Sequence, residues 1–204
     1  MKKKIIPFLI AVCMLLAAGC SQQPAAQTTP DKAATEKTPL ESLPDGYTLE
    51  QAKADGCVTH ENGDVTQGRE DFDAFYAATQ SGESASIRLA FYYTLDDPSA
   101  YDEEYYESIK DEYPILFIQD LTYDGNEYTI RWYEDGEEIV ETYPYLMKYE
   151  GEADSETALY KSYVEYILTN DDTVTREDLL YGLFSSEAED YIPHMSVCAD
   201  MIYE

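Results

Sequence analysis

Apolar residues along the middle of this chain recur first at helical spacing and then at strand spacing. In "REDFDAFYAATQSG" Phe72, Phe75, Tyr76 and Thr79 fall on one side of a 3.6-residue period, acids open the first turn and Gly82 closes the run, so the spacing predicts a helix. From residue 86 the period becomes two: Ile87, Leu89, Phe91, Tyr93 and Leu95 share one face, and Ser86, Arg88 and Thr94 the other. "YPILFIQDLTY" begins apolar on both faces, as a central strand does, and Tyr128, Ile130 and Trp132 alternate with Thr129, Arg131 and Tyr133. Asn62-Gly63, Asp124-Gly125 and Asp135-Gly136 stand where hairpin turns need a left-handed backbone. Tyr160, Val164, Tyr166 and Leu168 mark another strand, and residues 195–203 alternate as an edge strand would. A short helix is expected in "PSAYDEEYYESIKDEYP". A last one opens at Thr175 as N-cap, with Asp178 returning the bond and Leu179, Leu180, Leu183 and Phe184 as its apolar face. Together these predict an α+β fold: an antiparallel meander of about five strands packed with two or three helices.

The first forty residues follow a different pattern. Lys2, Lys3 and Lys4 precede an apolar run from Ile5 to Ala18, too short to span a bilayer, which needs about 20 residues. Charged start, short greasy middle and small residues before a cut site make residues 1–19 a secretory signal. Leu16-Ala17-Ala18-Gly19-Cys20 resembles the bacterial lipobox, with Leu four residues before the cysteine and Ala at the third. That resemblance implies a diacylglycerol on the Cys20 thiol and therefore a stable membrane anchor. Residues 20–42, rich in Gln, Pro, Ala and Thr, bury too little apolar surface to order themselves and are expected to act as a tether reaching about 25–30 Å. Residues 43–204 are then one extracytoplasmic domain at the cell membrane.

Charge narrows the partners. With 42 acidic and 13 basic residues the net charge is −29, and losing the signal lysines makes the exported part more negative still. A nucleic-acid partner is excluded, because phosphate binding needs a cationic footprint. The same charge repels anionic lipid and favours a soluble monomer, so the lipid alone is expected to hold the domain at the membrane.

Val58-Thr59-His60-Glu61-Asn62-Gly63, the Phe72-Asp73-Ala74-Phe75 helix, and the block from Ile87 to Tyr149 with its two Asp-Gly turns resemble a group of uncharacterised lipoproteins from Gram-positive bacteria. The likeness covers most of residues 56–150. It implies a surface lipoprotein and carries no activity, cofactor or catalytic residue.

The residues themselves point to no catalytic centre. The chain holds only two histidines, His60 and His194, and neither stands in a nucleophile motif; G-x-S-x-G, S-x-x-K and H-E-x-x-H do not occur. The acidic stretch "LTNDDTVTREDL" fails as a calcium loop, since Asp172 takes the place of the obligatory glycine. No metal or cofactor is expected. Twenty tyrosines remain to be explained. Strands favour tyrosine for packing alone, but Tyr92, Tyr133, Tyr143 and Tyr145 on a sheet face would also form a recognition platform, because the ring is amphipathic and loses little entropy on binding. Cys57 and Cys198, at either end of the domain, permit a disulfide in an exported protein; two free buried thiols are the alternative. The function expected is a non-catalytic binding or accessory domain for a surface protein or glycan. The alternative is a hydrolase of wall or dietary polymer using paired carboxylates.

Overall fold

In the computed structural model residues 37–204 form one unit. The structure describes residues 37–153 and 160–203, all within that unit. The expected signal segment, Cys20 and residues 21–36 of the tether expected over 20–42 lie outside the described residues.

The described residues form a mixed α+β fold of nine strands and four α-helices. α1 (Leu49–Ala54) opens at Thr48, whose hydroxyl accepts from the Gln51 amide while the Gln51 side chain accepts from the Thr48 amide. β1 (Val58–Glu61) and β2 (Asp64–Gln67) form a hairpin around Asn62-Gly63, both residues at positive φ. α2 (Arg69–Gln80) follows, then β3 (Ala85–Tyr93), a short α3 (Glu103–Ile109), β4 (Ile115–Tyr123), β5 (Tyr128–Glu134) and β6 (Glu137–Tyr143). β7 (Tyr145–Glu152), β8 (Ser162–Thr169), α4 (Arg176–Phe184) and β9 (His194–Ile202) complete the chain.

The strands make two sheets: a six-stranded one in the order β2-β1-β3-β4-β5-β6 and a three-stranded one, β7-β8-β9. This corrects the expected five-strand meander in two ways. β1 runs parallel to β3, because β2 and α2 intervene and carry the chain back before β3 begins. The long run from Glu137 to Glu152 is two strands in different sheets, divided at Pro144, which has no amide to give to a ladder.

Pairing fixes which side chains share a face. Val58, Leu89, Leu121 and Ile130 point to the inner face of the large sheet, where Phe72 and Phe75 of α2 and Leu146, Tyr166, Leu168 and Val197 of the small sheet join them in one core. Phe72 is fully buried with its ring edge-on to Tyr166 at 4.8 Å, and removing such a ring from water contributes about 1.5–3 kcal/mol. The outer face is not left to solvent. Ala52 of α1, Cys57 and Ala90 pack there under Tyr47, Leu116 and Ile118, and the turn Leu40–Ser42 lies against β4 and β5. Arg88, on the face where polar residues suggest solvent, is therefore buried, and its guanidinium grips Asp120 with two bonds of 2.6 and 2.7 Å.

Alternation also places the two cysteines. Cys57, one residue before Val58, faces outward, whereas Cys198 sits in the inner core. Both are free, buried thiols. The bridge that the sequence permits is thus not formed, because the large sheet lies between them. Burial pushes the Cys198 thiol up to about 11, against the opposing pull of Arg69.

The last helix begins as expected. The Asp178 amide donates to Thr175 Oγ1 at 3.1 Å, and Asp178 Oδ2 accepts from the Thr175 amide at 3.0 Å. Its apolar face differs from the expected one: Leu179 alone is buried, and Leu183 and Phe184 are exposed. A helix docked edge-on by one leucine, with Arg176 bound to Glu165 at 2.6 Å, leaves its far side free.

Candidate functional site

Three connections, β1–β2, β3–β4 and β5–β6, meet at one end of the large sheet, since β1, β3 and β5 all end there. The Asn62 turn is fastened to the end of β3 by three bonds of 2.9 Å: the Asn62 amide donates to the Tyr92 carbonyl, its Nδ2 to Thr94 Oγ1, and the Thr94 amide to its Oδ1. The β3–β4 connection is the longest of the three. Asp97 caps a turn at Pro98–Ala100, and Asp102 accepts from the Glu104 and Tyr105 amides to start α3.

Aromatic rings collect at this end on the inner face. His60 stacks on Phe91 at 4.5 Å between ring centroids, and Tyr93 meets Phe117 edge-on at 6.3 Å. Register explains the grouping, because Phe91 pairs with both His60 and Phe117 and so puts all three rings on one side. α2 and the small sheet do not reach this far: Tyr93 is 37% exposed and Phe117 48%. Trp132 lies on the same face, partly buried against the core. In the β3–β4 connection, Tyr101 packs on Tyr106 at 5.9 Å and on the exposed Tyr105 at 6.2 Å.

Two polar atoms near these rings, His60 Nε2 and Gln119 Oε1, are buried without a hydrogen-bond partner among the described residues. His60 is only 2% exposed. Burial first, and the positive charge of Arg69 second, push its pKa down to about 4, so the imidazole is neutral at physiological pH. The β3–β4 connection is acidic: it carries Asp96, Asp97, Asp102, Glu103, Glu104, Asp111 and Glu112, and its one lysine, Lys110, is bound to Glu107 at 2.6 Å. Such a segment accepts hydrogen bonds and repels anions.

Comparison of the chain with protein-family models, with curated proteins and with solved structures found no match. The site is therefore read from its geometry alone.

The four tyrosines of the expected platform lie on three surfaces. Tyr92 and Tyr133 share the outer face of the large sheet, with β4 between them. Tyr143 pairs with Tyr128, which turns it into the core, where its hydroxyl donates to Glu141 at 2.6 Å. Tyr145, past Pro144, belongs to the small sheet and pairs with Thr169. The exposed rings that do converge are Tyr93 and Phe117, whose strand positions carry no local signal of a surface. Their exposure depends on where the covering helix stops, which no local pattern announces. His194 is elsewhere, its Nδ1 within 2.7 Å of the Ile192 carbonyl, so the two histidines do not meet in one site.

Proposed function

We propose that this chain is a membrane-anchored extracytoplasmic lipoprotein whose folded unit is a non-catalytic glycan-binding domain at the bacterial cell surface, with the aromatic end of the large sheet as its recognition surface. The observation that carries this reading is the Tyr93–Phe117 pair, exposed on a face that is otherwise core and set among the sheet's converging loops. Flat rings stack on the C–H faces of a sugar, and carboxylates accept from its hydroxyls. In the β3–β4 connection the Ser99 hydroxyl and amide hold the Asp97 carboxyl below its ordinary value, as an accepting carboxylate.

Anchor and binding are tested separately. Labelled palmitate is expected to mark the native product and not Cys20→Ala, which is expected to leave the membrane after processing; a Cys20→Ala product as firmly bound as wild type removes the lipoprotein reading. On an array of neutral bacterial and dietary glycans the exported chain is expected to retain a subset, and Phe117→Ser to weaken that binding about tenfold or more. Equal retention by the variant displaces the site. Release of reducing ends from a bound glycan would support the carboxylate hydrolase instead.

A further inference from the structure

A second apolar surface lies on the other sheet. α4 exposes Phe184 at 85% and Tyr181 at 67%, with Leu183 beside them more than half exposed. The turn Ala188–Asp190 crosses α4 at Gly182, where a Cβ would stand 2.6 Å from the Asp190 carbonyl oxygen and 3.3 Å from Tyr191 Cα. Only glycine lets the turn lie this close, and the closeness holds the turn against α4. Ser185 Oγ donates to Asp190 at 2.5 Å and holds the turn in place. The patch is thus assembled on a braced element rather than on a loose tail. Isolated exposed apolar residues are ordinary, but a cluster of large ones on one element marks an interaction surface.

Charge decides what covers it. Glu177 and Asp178 stand in the first turn of α4, Glu189 and Asp190 in the bracing turn with Glu187 just before it, and α4 has no basic residue in its last turn. Arg176, the basic residue of the helix, is already committed to Glu165, and its guanidinium lies 3.9 Å from the centroid of the Tyr163 ring. An anionic lipid surface meets these acids as like charge, and so does a second copy of a chain with net charge −29. Apolar residues flanked in sequence by acids complement the reverse arrangement, apolar residues flanked by lysine or arginine.

We propose that α4 and the turn that braces it form a docking surface for a cationic amphipathic segment of a partner protein. The surface is distinct from the aromatic end of the large sheet and stands whether or not that end binds a glycan. The probe is a synthetic amphipathic helix of lysine and leucine, with its glutamate–leucine counterpart as control, titrated against the exported chain by fluorescence anisotropy. The expected result is binding of the lysine form alone, weakened by salt. Tyr181→Ser/Phe184→Ser, a change at exposed positions that spares the core, is expected to weaken it about tenfold or more, and Phe117→Ser to leave it unchanged. Equal affinity of the double variant, or equal binding of the glutamate peptide, overturns the proposal. So does adsorption to phosphatidylglycerol vesicles, or dimerisation, that the double variant abolishes.

Discussion

Replacing Asp120 by asparagine is expected to destabilise the fold by about 3–5 kcal/mol, a large part of the roughly 5–15 kcal/mol that a domain possesses. Arg88 is buried on the outer face of the large sheet, and the Asp120 carboxylate holds it through two parallel bonds. Asparagine keeps the volume and offers one acceptor, but it leaves a whole positive charge away from water without its counter-charge. The surroundings cannot supply another. Residues 37–57 cross this face, and Lys37, whose amine is pushed down by burial against the opposing pull of Asp120, adds charge of the same sign as Arg88 and leans on the same carboxylate. A urea titration with an unchanged slope measures the loss directly. The paired substitution Arg88→Met/Asp120→Leu is expected to recover most of it, since removing both charges removes the desolvation cost as well. A variant Asp120→Asn within about 1 kcal/mol of wild type would show that Arg88 reaches water in solution.

That ion pair marks the limit of what the sequence shows about this fold. Arg88 alternates with Ile87 and Leu89 in a way that reads as a solvent face, and its partner is 32 residues away. Only the fold makes them neighbours and brings the segment that covers them. Features decided within a few residues are legible: the alternation of β3 and β5, the turns at Asn62, Asp124 and Asp135, and the Thr175–Asp178 cap, each of which appears where the pattern puts it. Partition into sheets is not. Whether Tyr145 follows Tyr143 into the same sheet depends on Pro144 and on what lies beyond it, and the tyrosine platform dissolves at that residue.

The aromatic end is illegible for a related reason. His60, Phe91 and Phe117 are in unremarkable strand positions, and the parallel pairing of β1 with β3 is what sets them side by side. α4 shows the reverse case: Leu183 and Phe184 carry a clear apolar signal, read as core, but the helix docks through Leu179 and turns them outward. Apolar spacing states that a face needs covering and leaves open whether this chain or a partner covers it.

His60 should make the protein's stability depend on pH above the range in which its carboxylates titrate. Its ordinary value is 6.5 and its folded value about 4, so between those limits the unfolded chain binds the proton and the folded one does not. The stability held by the neutral ring is complete above pH 6.5 and is withdrawn as pH falls toward 4. Each unit of difference is worth 1.36 kcal/mol, which gives a loss of about 2 kcal/mol between pH 7 and pH 5 and about 3 kcal/mol below pH 4. Glu61, Asp97, Asp124, Asp171 and Asp178 are shifted downward and also withdraw stability on acidification, but from ordinary values of 4.5 or less. The window from pH 6.5 to 5 therefore isolates the imidazole. His60→Gln, which keeps a polar group of similar length without a proton to gain there, is expected to flatten denaturation midpoints across that window and to leave the steep loss below it. If the variant and wild type fall in parallel from pH 7 to pH 5, the ring takes up its proton in place, and the stack on Phe91 is open to water.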